Sequence, residues 1–192
     1  QNGQIQYKEI PFNYSRLNCI LSLGKDTIGI GTSNGIILFF AQNNQFRNVE
    51  MHFNVMRIFE DSHNELWLFS NEQRGIVRYD PLTNEQQHYE TPTQNMPKAE
   101  LRSRDVIFED NQGTLWVVPH LGCLSYYDRE DKELKPYYTD YSKPESKFTP
   151  VILNFYVDNQ KNFWYANNFW MDKISFFPNA SQLTTFDSGH ET

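Results

Sequence analysis

The sequence predicts an all-β fold built from a repeated four-stranded unit, and three observations carry that expectation. A short pattern recurs along the chain. Ile58-Phe59-Glu60-Asp61-Ser62-His63-Asn64-Glu65-Leu66-Trp67 matches Ile107-Phe108-Glu109-Asp110-Asn111-Gln112-Gly113-Thr114-Leu115-Trp116, and both match Phe155-Tyr156-Val157-Asp158-Asn159-Gln160-Lys161-Asn162-Phe163-Trp164. The tryptophans fall 49 and then 48 residues apart. Helical periodicity is absent throughout, so the apolar residues do not define helix faces. Aromatic residues make up 16% of the 192 residues, which suits pleated surfaces where broad rings pack. Units of about 40–50 residues with four short strands each are the signature of β-propeller blades.

The elements follow in order. A first, weaker copy, Leu23-Gly24-Lys25-Asp26-Thr27-Ile28-Gly29-Ile30-Gly31-Thr32, puts Gly29 where the others have tryptophan, 38 residues before Trp67. Past the tryptophan, Gly35-Ile36-Ile37-Leu38-Phe39 matches Gly75-Ile76-Val77-Arg78-Tyr79-Asp80 and Gly122-Cys123-Leu124-Ser125-Tyr126-Tyr127-Asp128. The last copy, Lys173-Ile174-Ser175-Phe176-Phe177-Pro178, has no glycine. Each unit closes on a short polar–aromatic strand: Gln45-Phe46, Gln87-His88-Tyr89, Lys135-Pro136-Tyr137-Tyr138 and Leu183-Thr184-Thr185-Phe186.

In the second unit this places strand A at Val55–Glu60, B at Glu65–Phe69, C at Gly75–Asp80 and D at Gln86–Glu90. The A–B connections read as hairpins. Aspartate accepts from the backbone two residues on, and Asn or Gly tolerates the left-handed conformation. Trp67, Trp116 and Trp164 read as apolar plugs between neighbouring blades rather than as sugar-stacking platforms. Asp61, Asp110 and Asp158 read as turn caps rather than calcium ligands, because each turn offers too few oxygens for a calcium loop.

The resulting blades are 17–50, 51–98, 99–148 and 149–186, with a preceding strand and linker at 1–16 and a tail at 187–192. The alternating stretch Ile5–Ile10 reads as the outer strand of a preceding blade. The last unit already has its fourth strand, so that stretch finds no vacancy in the same chain. The chain is therefore expected to be an open arc cut from a larger ring, with a closed four-bladed ring as the rival. An open arc exposes two apolar blade faces, which predicts a homodimer or poor solubility.

Composition narrows the function. The chain suits one domain or a piece of one. Hydrophobic residues reach 39%, against intrinsic disorder. Seventeen Lys and Arg face 24 Asp and Glu, a net charge of −7. Binding to a nucleic-acid backbone or to an anionic membrane surface is disfavoured by that balance. No apolar run is long enough to span a bilayer, and no signal peptide stands at Gln1-Asn2-Gly3. Cys19 and Cys123 are too few for a disulfide framework or a zinc cage and read as small buried hydrophobes.

The order Phe59-Glu60-Asp61, Leu66-Trp67, Gly75-Ile76-Val77-Arg78-Tyr79-Asp80 resembles the two-component regulator propeller repeat, as does Phe108 to Trp116. The resemblance covers roughly residues 17 to 186. It departs where Gly29 replaces the tryptophan, where three units lack the Gly-Thr after it, and where the fourth lacks the glycine before strand C. Proteins with this repeat are mostly hybrid two-component sensors. Their periplasmic part carries two seven-bladed propellers and a β-sandwich, followed by a transmembrane helix and a histidine kinase. Such sensors commonly detect oligosaccharides. The resemblance implies a periplasmic, non-catalytic segment of such a sensor. Its partners would be an oligosaccharide ligand and the remaining blades and β-sandwich, with no cofactor and no metal.

In a propeller the B–C and D–A connections share the rim at the funnel mouth, where loops converge on a concave surface. The B–C connections are Ser33-Asn34, Ser70–Arg74, Pro119–Leu121 and Asn167–Asp172, and Arg74, His120 and Trp170 on them are the candidate ligand contacts. Arginine would pair with an acidic sugar and tryptophan would stack on a sugar ring. The bland alternative is contact with a neighbouring domain, or solvent exposure. The D–A connections Thr91–Arg104 and Thr139–Pro150 could form lids or partner contacts. A propeller lyase is the enzymatic alternative, resting on His120 and Glu72 as a thin acid–base or metal set. A protein-interaction propeller of another family is the third reading. The sequons Asn13-Tyr14-Ser15 and Asn179-Ala180-Ser181 read as chance.

Overall fold

The computed structural model describes residues 7–24, 26–70, 75–90, 106–110, 112–118, 125–136, 154–160, 163–166, 171–177 and 180–186. All regular structure among them is β, in four four-stranded antiparallel sheets, each a meander in chain order. The first sheet holds β1 (Leu17–Leu23), β2 (Thr27–Thr32), β3 (Gly35–Phe40) and β4 (Gln45–Glu50). The second holds β5 (Arg57–Glu60), β6 (Leu66–Phe69), β7 (Ile76–Asp80) and β8 (Glu85–Tyr89). The third holds β9 (Val106–Glu109), β10 (Leu115–Val118), β11 (Ser125–Asp128) and β12 (Glu133–Pro136). The fourth holds β13 (Asn154–Val157), β14 (Phe163–Ala166), β15 (Met171–Phe177) and β16 (Ala180–Phe186).

Two readings from the sequence are corrected here. Tyr7–Ile10, the end of the alternating stretch, carries no strand, and residues 1–6 lie outside the described residues. Alternation alone does not make a strand without a neighbour to take its hydrogen bonds. Met171 and Asp172, read as loop, belong to β15, where they pair with Phe186 and Thr185.

The chain divides into two compact units, Gln1–Ile58 and Phe59–Thr192. In the first unit, β-pairing sorts the side chains of the first sheet onto two faces. Cys19, Leu21, Gly29, Gly31, Ile36, Leu38 and Val49 share one, and Ile20, Ile28, Ile30, Ile37, Phe39 and Phe46 share the other. The first face lies against Val55 and Ile58. A Cβ on Gly31 would come within 2.5 Å of Cys19 Sγ and 2.7 Å of the Val55 carbonyl oxygen. At Gly29, Leu23 and Ile58 close the space that a tryptophan would need: a Cβ there would stand 3.1 Å from one and 3.4 Å from the other. Burial pushes the half-buried Cys19 thiol up from its ordinary range. Gly31→Ala is expected to destabilise the chain by about 1–3 kcal/mol through overpacking, read as a lower urea midpoint at unchanged slope.

In the second unit the core lies between the second and third sheets. Trp67, Phe69, Ile76 and Tyr89 of one pack with Ile107, Leu115, Val117, Tyr127 and Leu134 of the other. Trp67 meets Tyr127 edge-on at 4.8 Å, and Tyr89 meets it at 5.3 Å. The two tyrosine hydroxyls, 3.0 Å apart, satisfy each other in this dry space. Burial and that bond raise the Tyr127 phenol well above its ordinary range. Trp67 is thus an inter-sheet plug, because an indole on the second strand spans the gap that two pleated faces leave.

Candidate functional site

Arg74, His120 and Trp170 all lie outside the described residues, as do Glu72, Cys123, Asn179 and the connections 91–104 and 139–150. Of the B–C connections, the structure describes Ser33-Asn34 in full. Thr32 Oγ1 donates to the Gly35 carbonyl at 3.0 Å and accepts from the Asn34 N–H at 3.2 Å. Ser33 Oγ accepts from the backbone N–H and the hydroxyl of Ser15. The Ser33 N–H reaches the Arg16 carbonyl, and the Met51 N–H reaches that of Asn34. These bonds hold the turn to the segments on either side of it. Its hydroxyls serve the fold, and the exposed Asn34 is what the turn offers outward.

The A–B turns carry the most concentrated chemistry among the described residues. In each of three turns one aspartate does two jobs. Asp61 Oδ1 accepts from the His63 and Glu65 N–H groups, while its Oδ2 accepts from Trp67 Nε1 at 2.9 Å. Asp110 repeats this with Gln112, Thr114 and Trp116 Nε1, also at 2.9 Å. Asp158 repeats it with Gln160 and Trp164 Nε1 at 3.0 Å. Asn64 (φ 62°) and Gly113 (φ 77°) supply the left-handed residue that closes two of these turns. The carboxylate thereby fixes the turn and orients the indole, which at Trp67 plugs the gap between the second and third sheets.

Arg129, in the turn after β11, crosses from the third sheet to the second. Its Nη2 donates to Asp61 Oδ2 at 2.9 Å and lies 3.5 Å from Glu109 Oε1, and its Nη1 donates to Glu65 Oε2 at 3.2 Å. Glu65 also binds Arg78 at 2.6 Å. Glu109 reaches back to the second sheet's turn, accepting from the Ser62 N–H and hydroxyl. Burial pushes the Asp61 carboxyl up. The bonds from Trp67, Arg129 and the backbone outweigh it and hold Asp61 below the usual carboxylate range. Burial pulls Arg129 and Arg78 down, and their carboxylate partners outweigh it and hold both above the ordinary arginine range. With its acids committed to two guanidiniums and to backbone, this cluster acts as a clamp between sheets. Among the described residues no group of three or more His, Cys, Asp or Glu side chains could hold a metal.

A polar groove of about 510 Å³ opens between edge strand β8 and the β11–β12 hairpin. Gln87, His88, Tyr89 and Glu90 line one wall, and Asp131, Lys132, Glu133 and Leu134 the other. The sequence reading missed Arg129 and the aspartate–indole bond. The constant six-residue spacing from Asp to Trp in all three copies was the available signal for the second. A lone arginine in a polar turn gave none for the first.

No protein-family model matches the chain, and no curated protein matches it. Solved structures do. One is the extracellular domain of a protein assigned to a hybrid two-component system of B. thetaiotaomicron, with a TM-score of 0.64 and 22% identity. The match covers 91% of this chain and 25% of that one. A second extracellular domain, likewise assigned in the same organism, has a TM-score of 0.60 and 18% identity, over 94% of this chain and 25% of that one. A streptogramin B lyase has a TM-score of 0.63 and 18% identity, over 95% of this chain and 58% of that one. The chain thus spans about a quarter of the length of the two extracellular domains. At these identities the likeness establishes the fold: the chain is all-β and of the propeller type.

Proposed function

We propose that this chain is a non-catalytic segment of the periplasmic propeller of a two-component sensor histidine kinase, where it senses or transmits the binding of an oligosaccharide. The observation that carries the reading is the match of 91% of the chain to one quarter of an extracellular domain assigned to a hybrid two-component system. The repeat Phe59-Glu60-Asp61 to Trp67 with Gly75 to Asp80 supports it independently, through its resemblance to the propeller repeat of such sensors. The described chemistry also favours a scaffold over a catalyst. The clustered carboxylates are bound by arginine, indole and backbone donors, so they hold turns and sheets together.

In this reading Arg74, His120 and Trp170 are the ligand contacts. Arginine is suited to a carboxylate or sulfate on the sugar, and tryptophan to the apolar face of a pyranose. Calorimetric titration of the complete extracellular protein with a panel of acidic and neutral oligosaccharides tests this. Saturable binding is expected, weakened by about tenfold or more in Arg74→Ala and Trp170→Ala, roughly 1.4 kcal/mol each. Binding unchanged in both variants would remove these residues from the site.

The lyase match favours a second reading, a propeller enzyme. Incubation of the protein with streptogramin B, with and without divalent metal, separates the two. Cleavage of the compound that disappears in His120→Ala would replace the sensor reading.

A further inference from the structure

The second sheet ends on β8, and among the described residues no strand pairs with its outer edge. Sheets blunt such edges with charged side chains, proline or a bulge. The outer strand β4 carries Arg47, and β12 carries Lys135 and Pro136. β8 has no lysine, arginine or proline, and Gln86, Gln87 and His88 stand at its centre. Its register with β7 runs unbroken from Glu85 to Tyr89, and Glu85 to His88 are all exposed. The backbone groups on its outer side are a template for one more strand.

The 510 Å³ groove lies along this edge. Tyr89 belongs to the core between the second and third sheets, and Leu134 faces the same core from β12. At 6% and 8% exposure they form the buried floor of the groove. Gln87 shares the Tyr89 face by alternation along β8. A strand added about 4.8 Å beyond β8 would send every second side chain over that floor. The opposite wall is braced. Asp128 accepts from the Glu130 and Asp131 N–H groups, and Lys135 bridges Asp128 and Asp131. Glu90, Asp131 and Glu133 line the groove against Lys132, its one lysine. Among the described residues no ion pair involves Glu90, Lys132 or Glu133.

We infer that β8 and the groove beside it take an extended basic peptide, which adds to the second sheet as a fifth strand and sends lysine or arginine side chains towards Glu90 and Glu133. Two features set this occupant. The open ladder edge asks for a partner with regularly spaced backbone donors and acceptors, and the excess of carboxylates asks for cations. An extended basic polypeptide meets both at once. With the wall already braced, the cost of ordering falls mainly on the peptide. The inference does not depend on the sensor reading.

Fluorescence anisotropy with a labelled peptide alternating lysine and valine tests it, beside the same peptide with glutamate for lysine and the same with proline for valine. Saturable binding of the lysine–valine peptide is expected, weakening as salt is added. The glutamate peptide should fail because its charge is wrong. The proline peptide should fail because it keeps the charge but loses backbone donors. Glu90→Gln and Glu133→Gln combined are expected to weaken binding about fivefold, and Lys132→Glu to tighten it. All three positions are exposed, so the fold is retained. Amide hydrogen exchange at Gln86 to Tyr89 should slow in the complex. A lysine–valine peptide that does not bind overturns the inference. So does a proline peptide that binds as well, a double glutamine variant with unchanged affinity, or slowed exchange confined to other strands. A neutral oligosaccharide that slows exchange at these amides where the peptide does not would also overturn it.

Discussion

Asp61→Ala is expected to cost about 3–5 kcal/mol and to lower Tm on the order of 10 °C. The side chain is fully buried and accepts four hydrogen bonds, from two backbone N–H groups, the Trp67 indole and Arg129. Removing it strands those donors beside Glu65 in a closed gap, and leaving a buried donor unmade costs more than making the bond contributes. Asp61→Asn keeps the shape and part of the bonding, so its loss should be about half as large. Thermal unfolding followed in the aromatic circular dichroism band gives both values. The same residue sets a pH dependence. A carboxyl held low in the folded state contributes stability that is fully present above its unfolded value of about 3.9, and is lost as pH falls through its folded value. The wild-type stability should therefore fall more steeply below about pH 4 than that of Asp61→Asn.

Gly75→Ala is expected to cost about 3 kcal/mol or more. A Cβ at this position would stand 2.0 Å from the Tyr89 carbonyl oxygen, at a φ of 94°. The three nearest atoms, two of Tyr89 and one of Glu90, all belong to the backbone of the paired strand end, so nothing flexible can give way. Gly35 meets the same obstacle at Val49, with 2.2 Å and a φ of 133°. The glycine at the head of the third strand is thus a place where two strand ends touch. Gly113 makes the contrast. Its φ is 77°, but a Cβ would meet nothing closer than 3.9 Å. Gly113→Ala should therefore cost only about 1 kcal/mol. Gly113→Asn should cost less still, since Asn64 holds the equivalent place at φ 62°. Urea unfolding of the three variants separates steric from conformational cost. Equal losses at positions 75 and 113 would contradict the close approach at Tyr89.

The repeat made most of the sheet architecture legible, because every copy had to solve the same packing problem with the same residue types. Trp67 and the capping role of Asp61 followed from composition at fixed places in the pattern. The bond between Asp61 and the indole did not, since turn capping and plugging look like separate tasks until the hairpin brings position 61 beside position 67. Arg129 was illegible for a different reason. Its partners lie 64 and 68 residues away, and only the packing of one sheet on the next makes it a clamp rather than a solvated charge. Alternation misled at Tyr7–Ile10, where no strand forms. Composition misled at Met171 and Asp172, which look like a loop yet complete a ladder with β16. The candidate contacts Arg74, His120 and Trp170 sit where the repeat stops repeating. A pattern argument can locate that region but cannot arrange its side chains.

The central claim, that this chain is part of a two-component sensor's propeller, is tested most directly by sequencing the complete reading frame that encodes it. The account predicts that the frame continues into further blades of the same Trp-centred repeat, a membrane-spanning helix and a histidine kinase. A frame that encodes these blades with no membrane helix and no kinase would contradict it.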